Sequence, residues 1–99
     1  MKTRMHVRMP DGSVYEIPTM IIARHRAKRY KDEFGGDIER SLQEDTIPLF
    51  TEDPFEIQDW ASNNMNWTDV ENIARIVEHP DEYTNFQEGW INGDKRILA

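Results

Sequence analysis

Residues 3–17, TRMHVRMPDGSVYEI, decide the fold of this chain. In residues 3–9 apolar and polar side chains roughly alternate, which is the period of a β-strand with one buried face. Residues 10–13 supply a turn, because proline fixes φ and glycine tolerates the positive φ of a tight reversal. Residues 14–17 have the composition of the returning strand. The stretch therefore predicts an N-terminal β-hairpin.

The segment after the hairpin predicts a helix over residues 20–34, since no helix-breaking residue occurs before Gly35 and Gly36. Its apolar residues fall on one narrow stripe at helical spacing, and the rest of its surface is almost entirely basic. The stripe consists of Met20, Ala23, Ala27, Tyr30 and Phe34. We therefore expect one side of this helix to pack against the core.

A second, shorter helix is predicted from Asp37 to about Asp45. The Asp37 carboxylate can accept hydrogen bonds from the first backbone N–H groups of a helix. Ile38 and Leu42 lie one turn apart and supply an apolar face. Pro48 is expected to end this helix, because the residue before a proline disfavours the helical conformation.

Residues 53–56, DPFE, carry the strongest helix signal in the sequence. They combine an N-cap aspartate, a proline at the first helical position and a glutamate that can reach back to the cap. The helix is expected to run to about Asn63. Its predicted buried side includes Phe55, Trp60 and Ile57.

Residues 68–71, TDVE, repeat the capping-box pattern. The following residues 73–77, IARIV, are rich in β-branched side chains and are bounded by Pro80. We predict one helical turn that leads into a third strand at about residues 73–78. The alternative is a continuous helix to Val77.

The last segment contains four apolar residues that share one helical face. They are Tyr83, Phe86, Trp90 and Ile91. Asn92-Gly93 either ends this helix or forms a type I′ hairpin, for which Asn-Gly is the preferred pair. Residues 95–98 form either a short last strand or a packed tail.

These elements predict an α+β fold in one domain, residues 1–99, since 99 residues is about the commonest domain size. The expected architecture is a small, mainly antiparallel sheet packed by three or four helices. The sheet consists of the N-terminal hairpin and the third strand.

Several kinds of chemistry are excluded or disfavoured by composition. The chain has no cysteine, which removes disulfides, thiolate zinc sites and cysteine nucleophiles. Its histidines, His6, His25 and His79, have no metal-ligand spacing, and no phosphate-binding glycine loop occurs. We therefore expect a protein that is not an enzyme and that has no metal site and no cofactor.

The chain also lacks the signals of a membrane or secreted protein. Its uncharged and mostly apolar stretch, residues 17–23, is far shorter than the roughly 20 apolar residues that a membrane span needs. The N-terminus has no apolar signal core. We expect a cytoplasmic protein with no membrane partner.

Charge is distributed unevenly along the chain, whose net charge is −7. Residues 1–31 hold 8 basic and 2 acidic side chains, whereas residues 32–99 hold 4 basic and 17 acidic ones. Such asymmetry indicates partners that are selected by electrostatics, or attraction between the two parts of the chain itself.

The acidic segment provides the first candidate binding surface. Dense carboxylates can imitate the phosphates of a nucleic acid and steer a basic protein into contact. The predicted protein-binding residues are Glu44, Asp45, Glu52, Asp53, Glu56 and Asp59. The simpler alternative is a solvated, solubilising face.

The basic helix provides an alternative surface, which could neutralise the phosphates of a nucleic acid. The candidate nucleic-acid-binding residues are Arg24, Arg26, Lys28, Arg29 and Lys31. A further alternative is self-assembly into a homo-oligomer or virion component, in which the basic helix of one copy docks on the acidic face of another.

The segment between Trp60 and Trp67, SNNMN, permits two interpretations. Two exposed tryptophans would flank a recognition loop of adaptable asparagine side chains. The favoured interpretation is that both tryptophans anchor the core and that the asparagines end a helix.

Residues 59–70, DWASNNMNWTDV, together with residues 23–27, ARHRA, after the Asp-Gly hairpin, resemble small uncharacterised proteins of tailed bacteriophages. The resemblance covers most of the chain and implies a virus-encoded accessory protein that acts in the cytoplasm of a bacterial host. It implies no activity and no site residues.

The resemblance and the acidic excess together predict a non-catalytic, phage-encoded binding protein. Its expected partner is a host protein with a basic surface, which it modulates or inhibits by charge-steered contact that can include nucleic-acid mimicry.

Overall fold

The N-terminal hairpin is present in the computed structural model, which describes residues 1–78 and 86–99. Strands β1 (Arg4–Arg8) and β2 (Val14–Pro18) pair antiparallel, with Val7 opposite Tyr15. In the turn, Gly12 has a φ of 87°, and the buried Asp11 carboxylate accepts hydrogen bonds from the backbone N–H and the hydroxyl of Ser13. The turn chemistry read from the sequence thus sets the reversal.

Two later strands complete a four-stranded antiparallel sheet of order β3-β2-β1-β4. Strand β3 (Arg75–Glu78) confirms the predicted third strand, although it begins two residues later than predicted. The backbone N–H groups of Ile73 and Ala74 still donate to the carbonyl of Val70, which keeps them in the preceding turn. Strand β4 (Lys95–Leu98) lies against β1, so the last segment is a strand and not a packed tail.

The helix predicted over residues 20–34 is confirmed, but its predicted apolar stripe is only partly right. Ala23 and Ala27 are buried, whereas Met20 is 37% exposed and Ile22 is buried instead. Helix α1 (Thr19–Tyr30) continues into a 3₁₀ turn (Lys31–Phe34). Gly35 ends it in the left-handed conformation with a φ of 68°, where a side chain would be disfavoured.

The prediction that Pro48 ends the second helix is wrong. Asp37 does cap it, by accepting a hydrogen bond from the N–H of Arg40. However, the helical path passes without a break through α2 (Ile38–Ser41), a π-helical segment (Leu42–Thr46) and α3 (Ile47–Glu52). The π-helical segment restarts the hydrogen-bond register, so Pro48 falls in the first turn of α3, where a missing N–H costs little.

Helix α4 (Phe55–Asn64) confirms the third predicted helix, but its start and its buried face differ from the prediction. The N–H of Asp53 already donates to the carbonyl of Leu49, so the predicted capping box with Glu56 does not form. The side chain of Phe55 is 62% exposed. It lies roughly 200° around the helix from the buried Ile57, because successive residues are about 100° apart.

The single helical turn after α4 is confirmed as α5 (Trp67–Val70), and the alternative of a helix continuing to Val77 is wrong. Its capping box is formed by Asn66 and Asp69 rather than by residues 68–71. The box begins two residues earlier because Trp67 itself is the first helical residue.

Helix α6 (Phe86–Asn92) includes Asn92, so the alternative of a type I′ hairpin is wrong. Trp90 is completely buried, whereas Ile91 is largely exposed despite the face that the two were predicted to share. The predicted face also includes Tyr83, which lies outside the described residues.

The core lies between one face of the sheet and the helices. Trp90 is completely buried in it, and its indole N–H donates to the carbonyls of Ala61 and Met65. The other buried side chains come from β1, β2, α1, the π-helical segment, α3, α4 and α5, and from connecting segments at Met9 and Met65. No helix in the described part of the chain is both long and apolar enough to cross a bilayer.

Candidate protein-binding surface

The basic helix α1 uses two of its predicted site residues in contacts with the acidic segment. Nη1 of Arg24 lies 2.5 Å from a carboxylate oxygen of Glu39. Nη1 of Arg26 lies 2.8 Å from the carboxylate of Asp45 and 2.9 Å from the hydroxyl of Thr46. Part of the charge asymmetry of the sequence is therefore neutralised inside the molecule.

The other three predicted basic residues have no ion pair among the described residues. Lys28 and Arg29 are exposed and Lys31 is half-buried. The guanidinium of Arg29 lies 5.6 Å from the ring centre of Trp60, within the range of a cation–π contact. Asp32 and Glu33 follow directly in the 3₁₀ turn and reduce the positive charge at this end of α1.

Two of the six predicted acidic site residues are likewise engaged within the molecule. Glu44 pairs with Arg40 at 2.6 Å across one helical turn, and Asp45 pairs with Arg26. Asp45 thus stabilises the contact between α1 and the π-helical segment, and Glu44 stabilises the helical path to which it belongs. They are therefore less available to a partner.

The remaining four acidic residues lie around the exposed ring of Phe55. Glu52, Asp53 and Asp59 are exposed, and Glu56 is half-buried. None of the four has an ion pair among residues 1–78 and 86–99. We call the surface formed by Glu52, Asp53, Phe55, Glu56 and Asp59 the Phe55 patch.

Local contacts hold the Phe55 patch in place at the start of α4. A side-chain oxygen of Asp53 accepts a hydrogen bond from the N–H of Phe55 at 3.2 Å. The carboxylate of Asp59 accepts one from the side-chain amide of Asn63 at 2.9 Å. Both side chains remain exposed to solvent.

A groove of about 610 Å³ separates the Phe55 patch from the beginning of β4. One wall consists of Phe55, Gln58, Asp59 and Ser62, and the other of residues 93–96. The ammonium of Lys95 donates to the carbonyls of Ile91 and Gly93, at 3.3 and 3.1 Å. Burial lowers the pKa of Lys95, and the nearby Asp94 carboxylate opposes that shift. Lys95 thus caps the C-terminal end of α6 and forms no ion pair with the described carboxylates of the Phe55 patch.

The tryptophans at the ends of residues 60–67 are 9% and 8% exposed, so they are core anchors as favoured by the sequence. Trp60 contacts α1, and Trp67 packs edge-on against Tyr15 with ring centres 5.1 Å apart. Because a recognition loop would need an exposed ring, that alternative is wrong.

A second cluster, which the sequence did not suggest as a site, lies on the outer face of the sheet. The carboxylate of Glu16 accepts hydrogen bonds from Arg75 at 2.7 Å, His6 at 3.0 Å and Arg4 at 3.2 Å. The bond from His6, followed by those from Arg4 and Arg75, lowers the pKa of Glu16 against the effect of burial. The alternation within β1 could have placed Arg4 and His6 together, but Arg75 arrives only through strand pairing.

Within the described residues, no three His, Asp or Glu side chains come together as a metal site would require. Comparison of the chain with protein-family models, with curated proteins and with solved structures finds no match. The similarity to small proteins of tailed bacteriophages therefore stays a prediction.

Proposed function

We infer that this protein is a non-catalytic binding protein that contacts a basic partner protein through the Phe55 patch. The single observation that supports this inference best is the 62% exposure of Phe55 beside four carboxylates that lack ion pairs among the described residues. A large exposed aromatic side chain is a typical energetic centre of a protein interface, and charged residues around it set orientation and association rate.

The patch is narrower than the acidic surface predicted from the sequence. Glu44 and Asp45 leave it because Arg40 and Arg26 already neutralise them. Glu52, Asp53, Glu56 and Asp59 remain. In this proposal Phe55 enters an apolar pocket of the partner, and the four carboxylates contact Lys and Arg side chains around that pocket.

The proposed partner is a host protein whose basic surface normally binds nucleic acid. Closely spaced carboxylates can occupy such a surface in place of phosphates, which would make the protein an inhibitor or modulator. This assignment of the partner depends on the resemblance to phage proteins and on the local excess of negative charge.

Two observations weigh against the alternative functions. Nucleic-acid binding by α1 loses support because Asp32 and Glu33 directly follow Lys31 at its end. Arg24 and Arg26 are held by Glu39 and Asp45, and the side chain of Arg26 is only 14% exposed. Self-assembly through docking of α1 on an acidic face loses support for the same reason, since those cations are engaged within one copy.

Retention of proteins from bacterial lysate on the immobilised protein tests the proposal. The informative variants are Phe55→Ala and the pair Glu52→Lys with Glu56→Lys. The matched control is Asp32→Lys with Glu33→Lys, which changes the net charge equally but lies on the 3₁₀ turn. We expect a retained protein that both patch variants lose, that the control keeps, and that elutes as salt concentration rises. Retention that is unaffected by the patch variants would contradict the proposal.

A further inference from the structure

The outer face of the sheet carries a row of charged residues, one from each strand. The pairing places Arg75 of β3 opposite Glu16 of β2, Glu16 opposite His6 of β1, and His6 opposite Arg96 of β4. Because neighbouring strands lie about 4.8 Å apart, this row spans roughly 14 Å across the sheet.

Two more arginines extend this surface along β1. Arg4 and Arg8 are two residues to either side of His6, so their side chains point to the same face of the sheet. At about 3.4 Å per residue they are roughly 14 Å apart. We call the surface formed by Arg4, Arg8, Arg75 and Arg96 the arginine face.

The arginine face has a net positive charge although the whole chain is acidic. Its four guanidinium groups are opposed by three carboxylates. Glu16 binds Arg4 and Arg75, Glu78 binds Arg8 at 3.1 Å, and Asp94 borders the same surface. Arg96 has no ion pair among the described residues. The side chain of Glu16 is only 15% exposed, whereas that of Arg75 is 71% exposed. The carboxylate therefore lies below the cations and holds them toward solvent.

A shallow depression of about 560 Å³ lies between β4 and β3 on this face. His6, Arg8 and Arg96 contribute polar groups to it, and Val14 and Val77 contribute apolar surface. Arg8 of β1 and Glu78 of β3 both lie opposite Val14 of β2, and they form an ion pair with each other across β2. Glu78 and Asp94 also border the depression, which favours a ligand that contacts several arginines over a compact anion bound at one point.

We propose that the arginine face binds single-stranded nucleic acid through its phosphates. The arginines extend over roughly 14 Å along β1 and over roughly 14 Å across the sheet. An extended polyanion can therefore contact several of them through successive phosphates. A protein partner fits less well, because the described residues of this face include no Phe, Tyr or Trp side chain, and the apolar surface in the depression is small, with Val14 6% and Val77 38% exposed. A duplex fits less well, because the cations of this face lie on strands of a sheet and not on a helix that could enter a groove.

The described part of this face has no Phe, Tyr or Trp side chain, and this defines the mode of binding. Bases find no large aromatic ring to stack on there, so the arginines contact phosphates and the sequence of the strand matters little. One carboxylate of the Phe55 patch, that of Asp59, lines the groove opposite Arg96. At about 0.1 M salt its repulsion is screened beyond roughly 10 Å, while direct contacts between arginine and phosphate persist.

Fluorescence anisotropy of labelled oligothymidylate and oligouridylate, in low-salt buffer and through a salt titration, tests the proposal. The main variant combines Arg75→Gln with Arg96→Gln, both on exposed side chains. Its matched control combines Lys28→Gln with Lys31→Gln, which removes the same charge from α1. Arg96→Gln alone provides a second test, because it leaves every ion pair of the described residues intact.

We expect both oligonucleotides to bind the wild type and the control with equal affinity. The main variant should bind more weakly, and its slope of log K against log salt should be smaller by about 1.4, since each lost phosphate contact on a single strand contributes about 0.7. Arg96→Gln should show about half of that change in slope, and Phe55→Ala should show none.

Three results would overturn the proposal. The first is no anisotropy change in low salt. The second is weaker binding in the Lys28 and Lys31 variant but not in either arginine variant. The third is displacement of the oligonucleotide by an equal charge of oligoglutamate, or a change in self-association of the arginine variants, since either would identify a carboxylate-bearing protein surface as the occupant.

Discussion

The indole Nε1–H of Trp60 donates a hydrogen bond of 2.9 Å to Nδ1 of His25. This bond joins helix α4 to helix α1 inside the cluster that Trp60 forms with Tyr30 and Arg26. Because Nδ1 is the acceptor, it carries no proton, and the imidazole is neutral with its proton on Nε2. Burial lowers the pKa of His25, the positive charges of Arg29 and Lys28 lower it further, and the carboxylate of Asp69 opposes them.

The contact between His25 and Trp60 predicts that stability falls on mild acidification. The folded-state pKa of His25 lies below its ordinary value of 6.5, so the folded protein binds fewer protons than the unfolded chain. The stabilisation from neutral His25 is therefore fully present above pH 6.5 and is lost as the pH falls through the folded-state pKa.

Thermal unfolding of wild type and His25→Gln, from neutral to mildly acidic pH, checks this. Glutamine can still accept the indole hydrogen bond but does not titrate, so its melting temperature should decline less. Equal declines in the two proteins would exclude His25 as the cause.

The ion pair between Arg26 and Asp45 should contribute more to stability than the neighbouring pair between Arg24 and Glu39. The side chain of Arg26 is 14% exposed and that of Arg24 is 49% exposed. We expect Arg26→Met to lower the free energy of unfolding by about 1.5–3 kcal/mol, the range for hydrogen bonds to charged groups. Arg24→Met should cost less than about 1 kcal/mol, as exposed ion pairs do.

Urea denaturation of these variants, with a double-mutant cycle that adds Asp45→Asn, measures the two contributions. A coupling energy near zero between Arg26 and Asp45 would show that the pair does not connect α1 to the π-helical segment.

Much of the fold could be predicted because its signals are local. The hairpin follows from alternation over five residues and from a Pro-Asp-Gly turn, and α1 follows from one apolar stripe that ends at Gly35. These features depend on residues only a few positions apart, where the physical chemistry of the backbone decides the outcome.

The errors arose where a contact distant in the sequence overrides a local rule. A proline usually ends a helix. Here a π-helical segment precedes Pro48 and contacts α1 through Asp45 and Thr46. Phe55 looks like a core residue by composition, yet the buried face of α4 is set by Trp60, which bonds to His25 of α1. Neither outcome can be read from residues next to each other in the chain.

The candidate surfaces show the same division between local and distant information. The sequence identified the acidic segment, but only the ion pairs separate Glu44 and Asp45 from the Phe55 patch. The arginine face could not be foreseen, because Arg75 and Arg96 join Arg4 through strands that pair across most of the chain.

Gly93 should be one of the least tolerant positions in the chain. A Cβ built at Gly93 would collide with the backbone carbonyl oxygens of Arg8 and Gly89, which cannot move without disturbing β1 or α6. We expect Gly93→Ala to lower the free energy of unfolding by at least about 3 kcal/mol, at the high end of overpacking.

The control is Gly36→Ala, whose Cβ meets nothing within 4 Å and whose φ of 83° costs only local strain. That variant should lose about 1 kcal/mol, because a single residue in the left-handed region costs roughly 1–2 kcal/mol. Chemical denaturation of both variants provides the comparison, and equal losses would mean that β1 and α6 do not meet tightly at Gly93.

Phe55 should contribute little to folding, and this separates a binding role from a structural one. Because its side chain is 62% exposed, Phe55→Ala should change the free energy of unfolding by less than about 0.5 kcal/mol. Ile57, two residues later in α4, is completely buried, so Ile57→Ala should cost about 2–5 kcal/mol through lost burial and a cavity. Denaturation of the two variants side by side tests this contrast. If Phe55→Ala loses nearly as much free energy of unfolding as Ile57→Ala, the ring stabilises α4 and is not free to bind a partner. A small loss, together with failure to retain the partner, would mean that this aromatic side chain is kept at the surface for recognition, since exposure of so much apolar area brings the folded protein no stability of its own.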